Sequence, residues 1–140
     1  MTLPTRHVLA GFPPSVSPSS HAVESDGWVF LTGQFGRDLA APEAPLEDDI
    51  TAQTRRTLEN MRKVLNGLGL DLENVVSVRV FLTRFRDDYA AMNAAYAEFF
   101  PVGERPARTC VGVTDLVPGA RVEIDCIARR PQCLPERAAL

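Results

Sequence analysis

Histidine and cysteine are scarce in this chain of 140 residues, with two of the first and three of the second. His7 and His21 lie in different segments and no CxxC or HxxxH spacing occurs. A zinc site would have to be assembled from scattered side chains, so no metal is expected. The odd set Cys110, Cys126 and Cys133 suits free thiols in a reducing compartment better than a disulfide framework. Long apolar runs are missing too. Nothing approaches the ~20 apolar residues of a membrane span, and Met1 to Ala10 has no apolar run long enough for a signal peptide. Positive charge is in deficit: 15 Lys+Arg against 18 Asp+Glu leave a net charge of −3. That balance offers no long-range attraction for a phosphate backbone or anionic lipid. Arg55, Arg56, Arg62 and Lys63 do cluster, but at helical spacing beside acids, as on a solvated helix face. No Ser-His-Asp order, P-loop or Rossmann glycine pattern is present. The expectation is a soluble cytoplasmic protein that binds neither nucleic acid nor membrane.

What is present suffices for one core. Hydrophobic residues are 45% and charged residues 24% of the chain, ordinary for a globular domain of this length. Thr5 to Ala10 reads as a short strand, followed by a proline- and serine-rich turn region from Gly11 to Ser20. His21 to Glu24 leads into Ser25-Asp26-Gly27, a hairpin signal, and then Trp28 to Thr32. The unbroken apolar run of that strand predicts burial on both faces. Gly33-Gln34 ends it, and Gly36 to Leu46, with two prolines, reads as a loop.

Asp48 and Asp49 suit a helix start. Apolar residues from Ile50 to Leu68, mostly at steps of three and four, predict one amphipathic helix closing near Gly67 or Gly69. Gln53, Arg56, Glu59, Asn60 and Lys63 fall on its polar side. Val75 to Thr83 alternates as a strand. Arg86 to Phe100 carries Tyr89, Met92, Tyr96, Phe99 and Phe100 at helical spacing, the pattern of a core face, stopped by Pro101. After Arg129 the tail, residues 131–140, has no periodicity and is expected to fray, leaving residues 1–130 as one domain.

Two strands remain, Arg105 to Val113 and Arg121 to Ala128, both with β-branched residues at alternate positions. If their β-branched faces cover the same core, Arg108 and Glu123 stand together on the opposite side of one sheet. Such a pair is either a small-acid site or an ordinary salt bridge, and alternation alone favours the salt bridge. The whole order is β-β-β-α-β-α-β-β, an α+β fold in which two helices cover one face of a sheet. The other face, with Phe81 and Ile127, is too apolar to stay wet, which points to another copy of the chain as its cover. Arginine's planar fork suits a carboxylate, and a partly buried glutamate can hold water and pass protons. Together they suggest hydrolysis of a small acid bearing a C=N or C=C–N group. Ser19, Ser20 and His21 offer a nucleophile and base on paper, but turn formation explains them more simply.

Leu31-Thr-Gly-Gln34, Gln53-Thr-Arg…Leu58-Glu-Asn60, Val78 to Thr83, Met92-Asn…Tyr96-Ala-Glu-Phe-Phe100 and Arg105-Pro-Ala-Arg-Thr-Cys-Val111…Val122-Glu-Ile124 occur in this order. By these blocks, spread over residues 15–129, the chain resembles the RidA/YjgF family of reactive-intermediate deaminases. The resemblance implies a chorismate-mutase-like fold and a homotrimer whose three sheets line a barrel, with sites between subunits. It implies hydrolysis of 2-enamine and 2-imine acids such as 2-aminoacrylate to 2-keto acids and ammonia, with no cofactor. By position, Arg108 matches the arginine that clamps the substrate carboxylate and Glu123 the acid that positions water. Cys110 matches a site-lining cysteine, Thr32 and Gly33 the backbone turn at the substrate nitrogen, and Asn93 an asparagine near the cleft. The departure is at Ser19 and His21, where many members carry tyrosine and glutamine. Ser19 implies a roomier pocket and a larger substrate, or neutral drift in a tolerant loop. A non-catalytic carboxylate-binding protein, a pathway-specific deaminase of a larger substrate, and an RNA-cleaving activity are the other readings.

Overall fold

The computed structural model describes residues 2–132. The fraying expected of the tail concerns residues that, from 133 onward, lie outside this range. Six strands form one sheet: β1 (Thr5–His7), β2 (Ala22–Ser25), β3 (Trp28–Gln34), β4 (Val75–Leu82), β5 (Ala107–Gly112) and β6 (Val122–Arg129). Their spatial order is β1-β2-β3-β6-β4-β5. Every pairing is antiparallel except β4 with β5. That parallel pair needs a crossover, which the helix α2 (Phe85–Ala97) supplies. The longer helix α1 (Ile50–Gly67) connects β3 to a single 3-10 turn, Leu72–Asn74, ahead of β4. The expected element order and a sheet with its two helices on one face are both found.

Local chemistry accounts for the boundaries. Asp26 and Gly27 both adopt positive φ, 52° and 80°, as a tight hairpin turn whose twist matches its strands requires. A side chain at Gly27 would also collide with the Arg129 guanidinium. The Asp49 carboxylate accepts from the Ala52 N–H and caps α1. At the other end Gly69 N–H bonds Asn66 C=O and Leu70 N–H bonds Leu65 C=O, at 3.0 and 2.9 Å. These are the paired bonds of a Schellman closure, with Leu65 and Leu70 both buried. α2 stops at Ala97, earlier than the aromatic spacing suggests, because Phe100 precedes Pro101 and is pushed off helical geometry. β1 stops at His7, short of Ala10, where the Leu9 N–H turns to the His21 ring.

One face of the sheet meets the helices. Val29, Leu31, Val78, Val80, Leu82, Val122, Ile124, Cys126 and Ala128 pack there against Leu58, Met61, Val64, Leu65, Met92 and Phe100. β3 departs from the expectation of burial on both faces: Val29 and Leu31 are buried, while Trp28 and Phe30 remain 40% and 46% exposed. They lie on the open face beside half-buried Ile127 and Phe81 and exposed Val111, with Arg129 over the Trp28 ring at 5.0 Å. An antiparallel strand inside one chain has only one covered side.

The polar side assigned to α1 also needs correction. Arg56, Glu59 and Lys63 are not in the core, but Gln53 and Asn60 are 0% and 1% exposed. The Asn60 amide donates to the carbonyls of Phe35 and Arg37. Gln53 donates to Glu47 and Gly119 and accepts from the Arg121 N–H. Loops before and after the helix fold back over it, and their backbone groups need these partners.

The free end of the sheet is tied by charge. Glu24 accepts from Arg130 at 2.9 and 3.0 Å and contacts His7 at 3.1 Å. Arg130 holds the Glu24 carboxyl below its ordinary range, with His7 adding to the effect against burial. A carboxylate whose folded pKa is depressed contributes stability above its unfolded pKa and loses it as pH falls through the folded one. Glu24→Gln is therefore expected to lower unfolding free energy by about 1–2 kcal/mol at neutral pH. The difference should close once pH falls below both values, as urea denaturation at neutral and strongly acidic pH would read.

Candidate functional site

The residues named from sequence fall into two groups on two sides of the sheet. Arg108 and Cys110 belong to β5, where they pair with Val78 and Val80 of β4. Those valines are buried against the helices, and residues paired across a parallel ladder share a face. Arg108 and Cys110 thus face the helix layer. Glu123 pairs with Phe81 on β6 and faces the open side. The expectation that Arg108 and Glu123 share one side of the sheet is overturned within a chain. β5 is an edge strand exposed in part on both faces, so alternation identifies the strand without saying which side is inward. Thr109 and Val111, the β-branched residues, point outward.

Around Arg108 the first group is built by α2. The guanidinium lies over the Tyr96 ring, 4.8 Å from its centroid, and forms no salt bridge among the described residues. Stacking leaves the edge of the fork open to a ligand. Burial pushes the Tyr96 phenol up to about 12, against the pull of Arg108, so its proton stays in place. Asn93 precedes Tyr96 by one helical turn, and the Asn93 Oδ1 and Tyr96 hydroxyl are both buried without hydrogen-bond partners. Burial raises the Cys110 thiol, with Arg108 opposing. Cys126, in the core, is pushed up to about 12 by burial and is inert. Tyr96 is legible in sequence only as part of an aromatic core stripe.

Glu123 anchors the second group. A cavity of about 910 Å³ opens at the end of β3 and the start of β6, lined by Thr32, Gly33, Gln34, Glu123 and Asp125. Pro13, Ser15 to Ser17, Ser20 and His21, the loop after β3, Asn60 and Val117-Pro118 complete its walls. A Cβ at Gly33 would lie 3.0 Å from the Glu123 carboxyl carbon, so the missing side chain lets the carboxylate rest on the backbone. Pairing of β3 with β6 shifts register between Leu31 and Gln34, and this irregularity places Thr32 and Gly33 at the cavity. Burial raises the Glu123 pKa, and the Asp125 charge raises it further. An ordinary salt bridge between Glu123 and Arg121 is not formed: Arg121 bonds both Asp88 oxygens and the Asp48 carbonyl. Asp125 is taken by Arg79.

Thr32 donates its hydroxyl to the Ser20 carbonyl, and its N–H bonds the His21 carbonyl, which ties the serine-rich loop to the sheet. Ser19 is exposed beside the cavity, its hydroxyl engaged with Ser15 and Ser17 at 2.9 and 3.2 Å. The His21 Nδ1 accepts from the Leu9 N–H at 2.8 Å, so the neutral ring carries its proton on Nε2. Burial lowers its pKa, and Phe12 packs on it. Ser19 and His21 are therefore committed elsewhere and make no nucleophile–base pair. Among the described residues no cluster of three or more His, Cys, Asp or Glu could hold a metal ion. Among the described residues no helix is long and apolar enough to cross a membrane.

Comparisons with known proteins cover most of the chain. The family model described as Endoribonuclease L-PSP matches residues 12–130. A RutC family protein of Synechocystis sp. is 37% identical over 119 residues, 85% of this chain and 91% of that protein. RidA from the Antarctic bacterium Psychrobacter sp. has a TM-score of 0.79 at 30% identity, covering 89% of this chain and 99% of that one. TdcF of E. coli, solved with bound serine, gives 0.79 at 28% identity over 90% and 100% of the two chains.

Proposed function

We propose a deaminase: the chain belongs to the RidA/YjgF family, described by its family model as Endoribonuclease L-PSP, and its two groups suit hydrolysis of 2-imine and 2-enamine acids to 2-keto acids and ammonia. The observation that carries this reading is that Arg108 and Glu123 occupy opposite faces, each free of an ionic partner among the described residues. A site that uses both takes one from each of two copies. The apolar open face with Trp28 and Phe30 supplies a reason for copies to associate. A homotrimer with its sheets lining a barrel is the assembly we propose. Bound serine in the E. coli TdcF structure supports a small amino-acid-like ligand.

The chemistry follows from the groups. Arg108 of one copy clamps the substrate carboxylate with two parallel hydrogen bonds. Glu123 of its neighbour, raised by burial, can give a proton as well as take one. It protonates C3 of an enamine to give the imine, then accepts a proton from water. The water oxygen bonds to C2 as the C=N π pair moves to nitrogen. The proton passes from Glu123 to that nitrogen, the C–N bond breaks and ammonia leaves, while Glu123 takes back the hydroxyl proton as C=O forms and is reset for the next cycle. Ribonuclease activity, which the family description names, finds less support: the net charge is −3, and Glu123 and Asp125 line the cavity.

An amino-acid oxidase or a serine/threonine dehydratase coupled to this protein tests the reading, with semicarbazide trapping the remaining imine. Imine loss is expected to accelerate in proportion to added protein. If no imine from small, aliphatic or aromatic amino acids is lost faster, the chain is a carboxylate-binding protein instead.

A further inference from the structure

We infer that Arg37 is a second anion-recognition residue of the cavity, and that the substrate is a 2-imine or 2-enamine diacid whose distal carboxylate it holds. The inference deepens the deaminase reading and rests on it for the placement of the reacting carbon at Glu123.

The first observation is room. In a single copy the cavity of about 910 Å³ runs from Glu123 to Arg37, beyond the footprint of 2-aminoacrylate, before a neighbour's Arg108 enters it. The second is an unneutralised cation on its wall. Arg37 is partly buried and lines the same cavity as Glu123. Its Nη1 donates to the Pro14 carbonyl at 3.1 Å, while its buried Nε finds no acceptor among the described residues. Nearby carboxylates are engaged elsewhere: Asp38 faces Arg56 at 3.5 Å, and Asp125 is held by Arg79. Glu43 lines the cavity from an exposed position and forms no salt bridge with Arg37. A buried guanidinium N–H left without an acceptor is costly unless a ligand meets it.

Reach is the third observation. Gly33 touches the Glu123 carboxylate, and Arg37 follows four residues on, so the two Cα atoms are at most about 14 Å apart. That separation lies within the combined reach of a diacid and a long arginine side chain, and Leu39, Leu46 and Val117 line the same cavity to cover methylene groups.

The experiment compares the imines that oxidases release from glutamate and from norvaline, which lacks only the distal carboxylate. The ratio of kcat/KM for the diacid imine over the neutral one should exceed unity. It should fall at least about tenfold in Arg37→Met, which keeps an apolar stem, and recover in part in Arg37→Lys. In parallel, calorimetry with 2-oxoglutarate and 2-oxopentanoate reads binding without turnover, and Arg37→Met should weaken the diacid selectively. An unchanged ratio, or equal losses for both substrates, overturns the inference and makes Arg37 a loop tie to Pro14. If no imine is turned over yet 2-oxoglutarate binds in an Arg37-dependent way, the deaminase reading fails and the diacid site stands. Turnover without any Arg37-dependent preference does the opposite: the deaminase reading stands and the diacid site falls.

Discussion

Arg108→Ala and Glu123→Gln chains, each prepared alone, are expected to lose deaminase activity by at least about a hundredfold in kcat/KM. Co-expressed in equal amounts, they are expected to recover about a quarter of wild-type activity, from random pairing of copies in a closed assembly. The reason is the separation of the two side chains across the sheet. The proposed site needs an intact Arg108 from one copy and an intact Glu123 from its neighbour. In a one-to-one mixture half of each interface side is intact, and half of a half remains. Were both groups drawn from the same chain, every site in the mixture would carry a defect, and mixing would restore nothing. Recovery measured on tagged, co-purified hybrids thus reports the architecture of the site. Both variants should keep the far-ultraviolet circular dichroism of the parent, since Arg108 and Glu123 make no internal ion pair among the described residues. A hybrid as inactive as its parents would sink the two-copy site.

Arg121→Met is expected to lower unfolding free energy by about 3–5 kcal/mol, the largest loss we anticipate for a residue outside the core. Asp88 sits in the first turn of α2, 1% exposed, and both its oxygens accept from the Arg121 guanidinium. Its position at a helix N-terminus gives the charge some support, but not a replacement for a bidentate partner. Arg121 also donates to the Asp48 carbonyl just ahead of α1. One guanidinium therefore joins the starts of both helices to β6. Removing it strands a buried carboxylate, whereas removing both charges does not. Arg121→Met combined with Asp88→Leu should recover most of the loss in urea denaturation. If the single variant loses under ~1 kcal/mol, water reaches Asp88 and the pair is no better than a surface one.

Most of the architecture is legible in the sequence because hydrophobic period and turn chemistry agree along this chain. The steps from Ile50 to Leu68, the Asp26-Gly27 turn and the alternation of Val75 to Leu82 each place an element close to where it lies. What stays hidden depends on neighbours far away in sequence. Alternation in β5 does not say which side faces α2, so by itself it puts Arg108 on the wrong face. Gln53 and Asn60 read as solvent-facing because their partners are loop carbonyls that only the folded chain brings near. Trp28 and Phe30 read as core because an apolar run looks the same whether its second face meets a helix or a neighbouring copy. Of the site, the residue types and their positions are visible. The division into an Arg108–Tyr96 group and a Glu123–Gly33 group is not.

Among the described residues β5 holds to the sheet by one ladder, to β4, and does so across the whole of α2. Contacts that close so long a stretch are slow to form, and a strand with exposed residues on both faces is among the first to open. Amide hydrogens along Ala107 to Gly112 should accordingly exchange sooner than those of β6, which is flanked on both sides. Arg108, the carboxylate clamp of the proposed site, thus rides on an edge strand of its own chain. In the proposed assembly its stiffness would be borrowed from the copy across that edge, and dilution of the protein is then expected to soften the clamp before any helix melts.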